Sequence, residues 1–299
     1  MKNKTYLGIS PFKESMGIGP MRTFLYIYSF ARKYDMSAYI KCDDTNFNSR
    51  NNNFLLKQLS VLNDFGVKLT KEELNYFESS IIYQSKNDKI YLNYLNKLIK
   101  NGMTSEKDGL VSLDIKAFIN KSGIRTLKIN DLLKNNIYFN IENSGYSFIP
   151  LYSKTDKHFL FHIPCVVDEY LMDISISIRG EDKISIAPIH DMLRILFDIP
   201  PIQYLHLPLL LDFSTKKRLR GDDYLVDKFV SKYPKEVILS YLLGSGYNKV
   251  EKFWNIDNFI DKFDYHLIKK SSGFFKWDDI NDISKIYYNF KLRDVNKFA

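Results

Sequence analysis

The sequence predicts an α/β protein built on a parallel β-sheet, and three observations lead there. Tyr6 to Ile9 reads as a short buried strand, and a loop carrying Gly17 and Gly19 follows it. Residues 21–33 then place Phe24, Leu25, Tyr28, Phe30 and Ala31 at helical spacing, and Ala38 to Cys42 supplies a second strand. Strand, glycine loop, helix and strand make a βαβ unit, whose ligands sit at the C-terminal ends of parallel strands. Further apolar runs at 174–178 and 203–211 extend the sheet. Between them and the first unit the chain changes character: 110–113, 126–129 and 137–141 read as short strands separated by turns, an insert between two halves of one sheet.

The remaining elements follow from periodicity and breakers. Residues 54–65 read as a helix closed by Gly66. Residues 88–101 read as another, with Ile90, Tyr94, Leu95, Leu98 and Ile99 on one face and Gly102 past its end. The sheet is expected to resume near His158. From Asp222 the chain is mostly helical, rich in lysines and aromatics, with breaks at Pro234, Gly244, Gly246 and Gly273 and a last helical stretch at 281–288. There is no internal repeat and no low-complexity linker.

Composition limits the partners. A chain of 299 residues holds one large core and a satellite domain. Its 45% hydrophobic and 15% aromatic residues make it globular. The net charge of +8 favours a polyanionic partner, although a lysine- and asparagine-rich bias produces the same number. Two distant cysteines, Cys42 and Cys165, point to a reducing compartment and exclude a cysteine-rich zinc site. The first nine residues are no signal peptide, and no segment approaches the ~18 apolar residues of a membrane span. A cytoplasmic location without membrane contact is expected.

Several short blocks occur in a telling order. Ser10-Pro11 is followed by Gly17-Ile18-Gly19-Pro20 and Met21-Arg22-Thr23. Later come Val166-Val167-Asp168-Glu169-Tyr170-Leu171-Met172, then Arg179-Gly180-Glu181-Asp182, then His206-Leu207-Pro208-Leu209. Together they resemble the catalytic domain of glutamyl-type class I aminoacyl-tRNA synthetases. That resemblance implies a Rossmann-like parallel sheet, an inserted α+β acceptor-binding domain and a C-terminal helical stem-contact region. It also implies an Asp-rich strand end at 166–172. The expected division is 1–80 and 156–221 for the two halves of the nucleotide-binding domain, 81–155 for the insert and 222–299 for the helical region. No anticodon-binding domain is expected, as in the short paralogues that glutamylate the queuosine base of tRNA(Asp).

The resemblance also implies site residues. For ATP they are Gly17, Gly19, Arg22, Gly180, Asp182, Lys217 and Arg220, with Mg²⁺ accompanying the nucleotide and held largely by phosphate oxygens. Glycines let the backbone approach phosphates, and the helix N-terminus presents free N–H groups to them. The family's loop has two histidines that donate to phosphoryl oxygens, and here they are absent. Lys13 or Arg22 are possible substitutes. In the second loop, Lys216-Lys217-Arg218-Leu219-Arg220, Lys217 and Arg220 fall where two lysines neutralise the transferring phosphates, which makes them the catalytic candidates. Leu219 replaces a serine, and a solvated basic loop is the alternative.

For the amino acid the implied residues are Tyr6, Gly8, Ser10, Asp43, Phe161, Cys165 and Arg179. Tyr6 stands where the family has an arginine, and Phe161 and Cys165 stand where it has a tyrosine and an asparagine. Arg179 can take an α-carboxylate and Asp43 an α-ammonium as charge-assisted contacts. The groups that would hold a side-chain carboxylate are gone, so glutamate is expected to be a poor substrate and a smaller or less charged amino acid a better one. His162 and His206 either face the pocket or are structural. No metal-ligand spacing and no zinc are expected.

Two function classes result. One is an ATP-dependent ligase that activates an amino acid as its adenylate and passes it to a tRNA, a tRNA-like molecule or another acceptor. The other is a catalytically impaired binding or regulatory protein; an aminoacyl transferase acting on a carrier protein or peptide is a further variant. The residues retained at 43, 179, 180, 181, 182, 217 and 220 favour the first, and the absent histidines the second.

Overall fold

A computed structural model describes residues 3–45, 51–73, 83–249 and 251–295. The expected division at 80/81 lies outside the described residues. Strand β1 (Lys4–Ile9) leads through the glycine loop into helix α1 (Ile18–Lys33), which returns the chain to β2 (Ser37–Cys42). Pro20 sits in the first turn of α1, where its missing N–H has no intrahelical partner to lose; the helix therefore starts three residues before the expected position. β1 and β2 pair in parallel from Lys4–Ser37 to Ile9–Cys42. Helix α2 (Asn52–Asp64) is capped by the Asn51 side chain and stopped by Gly66 at φ +91°. Leu7, Ile9, Leu25, Ile40 and Leu62 belong to the core beneath this unit.

The insert is built from helix α3 (Asp88–Lys100), strands β3 (Thr104–Lys107) and β4 (Leu110–Asp114), and helix α4 (Ile115–Ser122). Strands β5 (Thr126–Asp131), β6 (Asn135–Asn140), β7 (Phe148–Ser153) and β8 (His158–Phe159) follow. α3 buries Tyr91, Leu95 and Leu98, while Ile99 faces solvent, so the buried face is rotated slightly from the expected one. β3, β4, β7 and β8 form an antiparallel sheet. His158 therefore belongs to the insert and does not resume the parallel sheet.

The chain then forms α5 (His162–Leu171), β9 (Ile176–Gly180), α6 (Ala187–Phe197), β10 (Gln203–Leu207) and β11 (Leu210–Asp212). Residues 166–171 are helical, not a strand end. β9 and β10 are parallel, and the β5–β6 hairpin extends their sheet through Tyr204–Asp131. The two parallel pairs meet at Ser175, whose backbone N–H donates to the Lys4 carbonyl at 3.0 Å. α5 and α6 pack with the insert in a second core containing Phe118, Leu151, Val166 and Leu193.

Helices α7 (Val226–Val230), α8 (Lys235–Gly244) and α9 (Ile256–Lys262) come next, then strand β12 (Gly273–Phe275) and helix α10 (Trp277–Val295). β12 pairs in parallel with β11, so Gly273 opens a strand rather than breaking a helix. No helix among the described residues is long and apolar enough to cross a membrane.

Asp131 is the joint between insert and sheet. Its buried carboxylate accepts the backbone N–H groups of Leu133, Lys134 and His206 and the His206 Nδ1–H at 2.7 Å. Replacing it by alanine strands these donors, and D131A should lower stability by about 3–5 kcal/mol in urea unfolding, with D131N losing less. Equal losses for the two variants would refute that account.

Candidate active site

A cleft of about 600 Å³ opens at the C-terminal ends of β1, β2 and β9. Tyr6, Gly8 and Ser10 of the first strand and its loop line it, with Asp43 from the end of β2. Arg179, Gly180 and Asp182 line it from β9 and the turn beyond, and Gly19, Pro20 and Arg22 from the start of α1. Phe161 and Arg220 are the other expected residues on its surface, with Leu219 beside them. The glycines provide clearance at two points. A Cβ on Gly8 would lie 3.1 Å from Asp43 Oδ2, and one on Gly180 only 2.5 Å from Asp182 Oδ1.

Arg179 is buried, and its guanidinium is held by uncharged groups. Nε donates to His206 Nε2 at 3.3 Å, Nη1 lies 3.4 Å from His190 Nδ1, and the guanidinium carbon is 4.9 Å from the centroid of the Tyr204 ring. Asp131 holds the proton on His206 Nδ1, which leaves Nε2 as an acceptor. Burial depresses the pKa of His190 well below the ordinary histidine value and also lowers that of His206, so both present neutral rings. Arg179 Nη2 has no hydrogen-bond partner, and no carboxylate among the described residues lies within salt-bridge distance of it. A desolvated guanidinium of this kind is incomplete without an anion.

Behind this wall the charges are matched. Glu169 is wholly buried; it pairs with Arg194 and accepts the Tyr6 hydroxyl at 2.7 Å. Burial alone would raise the Glu169 carboxyl; the charges of Arg194, Arg179 and Lys41 and the Tyr6 hydrogen bond together outweigh it and hold the pKa below the ordinary range. The Tyr6 hydroxyl is also 3.1 Å from Ser177 Oγ, so it has little left to offer a ligand. Lys41 is fully buried and ion-paired with Asp43, its ammonium 5.2 Å from the Tyr6 ring centroid and 5.9 Å from that of Phe161. Asp43 retains a second oxygen, above Gly8, for a ligand ammonium.

Four expected site residues stand elsewhere or are already occupied. Cys165 is sealed on α5 behind Tyr6 and does not line the cleft, because the segment is helical and turns the thiol toward Glu169. Gly17 does not line it either; it bridges to Leu225. Lys217 is off the cleft, its carbonyl accepting the Asp212 N–H, while its neighbours Arg218, Leu219 and Arg220 reach the surface. Arg22 lies at the cleft, but its Nε and Nη1 donate to the Ser245 carbonyl at 2.7 Å and the Pro208 carbonyl at 2.8 Å. Its charge thereby fastens α1 to the helical region instead of facing phosphate.

Other residues join the site that motif reasoning did not single out. Lys41 carried a signal, a charge inside an apolar strand. Gln84 lines the cleft; its Nε2 donates to Asp168 at 2.9 Å and its Oε1 is unpartnered. Lys183 and Thr45 also line it. Glu181 turns away, accepting the Leu209 N–H at 3.0 Å and pairing with Lys134 at 2.7 Å. Ligand atoms of Cys165, Glu169 and His190 fall within 4.8 Å of one another. Glu169 is already paired with Arg194, and burial raises the Cys165 thiol to about 12, so this trio suits hydrogen bonding better than a metal.

The family described as tRNA synthetases class I (E and Q), catalytic domain, matches residues 15–108 and 115–282. The chain is 24% identical over 320 residues to glutamate–tRNA ligase 2 of Caldicellulosiruptor saccharolyticus, spanning 93% of this chain and 65% of that protein. Its fold is similar to glutamate–tRNA synthetase of Elizabethkingia anophelis, with a TM-score of 0.78 at 16% identity over 96% of this chain and 70% of that one. It is also similar to a glutamate–tRNA ligase of Elizabethkingia meningosepticum solved in complex with its amino acid, with a TM-score of 0.76 at 17% identity over 97% and 70% of the two chains.

Burial lifts the Asp168 carboxyl to about 7, against the Lys41 ammonium and the Tyr91 and Gln84 hydrogen bonds that favour ionisation. With a folded pKa above the unfolded value near ~3.9, the folded state keeps a proton that the unfolded state releases. That contribution stabilises at low pH and is lost as pH rises from about 4 toward about 7. D168N should therefore gain stability on the unmodified protein across this window, by at most ~1.4 kcal/mol per pH unit. Denaturant unfolding at about pH 5 and about pH 8 checks the sign, and a pH-independent difference would refute it.

Proposed function

The chain belongs to the class I tRNA synthetases of the E and Q type, and from that premise we propose that it binds ATP and activates an amino acid with an uncharged side chain. The observation that carries this reading is the buried Arg179 guanidinium without a counter-ion, with the Asp43 carboxylate on the other side of β1. A cation and an anion flanking one strand end suit a zwitterion: its α-carboxylate meets Arg179 Nη2 and its α-ammonium meets Asp43. The side-chain end meets Tyr6 and Phe161, and the buried cations there, Lys41 and Arg194, already have carboxylate partners. A glutamate side chain would have to displace Asp43 from Lys41 or draw Lys183 off the Phe161 face.

In the reaction an oxygen of the amino-acid carboxylate forms a bond to the α-phosphorus of ATP. The bond from that phosphorus to the bridging oxygen breaks, and its electron pair leaves with pyrophosphate. Gly19 and the N-terminus of α1 approach the phosphates, Asp182 and Gly180 take the nucleoside side, and Arg220 offsets phosphate charge. Mg²⁺ enters with ATP and supplies further charge neutralisation. The acyl group then passes to a tRNA or another acceptor, consistent with the net charge of +8.

Pro20 and Gly17 stand where two donors would act, and each lost donor typically costs on the order of 10²–10³ in rate. That observation favours a second reading, a nucleotide- and amino-acid-binding protein without turnover. Pyrophosphate exchange with ATP and each of the twenty common amino acids separates them. The expected result is slow exchange with one small or apolar amino acid and none with glutamate. R179M should abolish it while the chain stays folded by circular dichroism, since the substitution removes a hydrogen bond to His206 but no salt bridge among the described residues. Exchange with glutamate would overturn the pocket argument, and ATP binding without any exchange would establish the second reading.

A further inference from the structure

The α1 side of the cleft offers phosphate the backbone N–H of Gly19 but no free side-chain cation. Gly17 is off the surface, Pro20 has neither a donor side chain nor a backbone N–H, and Arg22 is held by two carbonyls. On the opposite wall stands Lys183, on the 3-10 turn Glu181–Ile186 that follows β9. It lines the cleft, with its ammonium 5.4 Å from the Phe161 ring centroid, and forms no ion pair or hydrogen bond among the described residues. Arg218, by contrast, is paired with Asp182 at 3.2 Å. Lys183 touches the Phe161 wall of the amino-acid end and follows Asp182 of the nucleotide end. It therefore stands at their junction, where the phosphate of an acyl-adenylate would lie.

We propose that Lys183 is a catalytic residue that contacts the α-phosphate of ATP and of the adenylate, adding the side-chain charge that the α1 side lacks. This rests on the adenylation reading above. Negative charge concentrates on the non-bridging α-phosphate oxygens while the carboxylate attacks and pyrophosphate departs. An ammonium beside them offsets that charge without giving up a proton. A compact ammonium on a flexible stem suits a single phosphate oxygen, and the Phe161 face holds it without competing for the charge.

The test is equilibrium binding of adenosine, AMP and ATP to the whole chain by calorimetry. A lost charge-assisted contact predicts that K183M weakens AMP and ATP by roughly tenfold to a hundredfold while adenosine changes little. K183R should restore part of the loss, and R220M should weaken ATP but not AMP. Unchanged AMP affinity in K183M would overturn the proposal, as would adenosine and AMP weakening together, which marks a structural role. If the unmodified protein binds none of the three, the adenylation reading itself falls; if it binds AMP and K183M binds it equally well, only the role of Lys183 does.

Discussion

The Glu169 carboxylate, sealed from water behind the cleft, takes the Arg194 guanidinium on one oxygen and the Tyr6 hydroxyl on the other. With Ser177 beside that hydroxyl, this one group ties β1, β9, α5 and α6 into a wall. A buried carboxylate is tolerable only with such partners, and removing one leaves an uncompensated charge that costs several kcal/mol. The arrangement fixes Tyr6 in place. A side chain positioned this firmly shapes the amino-acid end of the cleft but cannot reorient to serve a ligand.

The same rule accounts for the chemistry of the front face. Lys41 has Asp43, Arg194 has Glu169, and Arg22 has two carbonyls. Arg179 has neutral histidines and a tyrosine face, which orient the guanidinium without cancelling its charge. The depressed pKa values of His190 and His206 are part of this arrangement. Protonated rings would repel Arg179 and turn acceptors into donors, so burial of the imidazoles preserves the geometry of the guanidinium. A binding site thus emerges where the fold leaves a buried charge unmatched, and in this wall that charge is Arg179.

Local signals made much of the fold legible. Gly66 after α2 and Gly102 after α3 mark helix ends by their own backbone chemistry, whereas α1 and α2 begin at Ile18 and Asn52, before the apolar periodicity does. The strand end that the resemblance implies at 166–172 is mostly helix, and Ile163 to Val167, buried on every side of α5, shows no helical alternation to correct it. β12 has three residues, too few for periodicity, and its partner β11 lies more than sixty positions earlier. In the site, residues on the strand ends and the Arg-Gly-Glu-Asp turn reach the cleft because motif spacing and strand register coincide there. Arg22 reads as a phosphate ligand from its neighbours in sequence. Its actual partners, Pro208 and Ser245, are 186 and 223 residues away. Cys165 fails for the related reason that a helix and a strand aim the same residue in different directions.

Charge balance ties the cleft to its proposed chemistry. Arg179, Lys183, Arg218 and Arg220 border it with Asp43 and Asp182, and Lys41 lies just beneath. Part of this positive excess is internal, since Lys41 neutralises Asp43 and Arg218 neutralises Asp182. The remaining cations are distributed along the cleft: Arg179 at the amino-acid end, Lys183 at the junction and Arg220 in the distal loop. A polyphosphate ester beside an amino acid presents its negative charges in the same sequence. Adding side-chain cations to a helix N-terminus that lacks donor side chains would change the character of phosphate stabilisation. Backbone dipoles are fixed and preorganised, whereas a lysine must be ordered on binding and loses rotamer freedom. On the proposed reading, affinity for nucleotide would survive the absence of the two loop donors better than catalytic rate, because binding needs charge nearby while the transition state needs it placed.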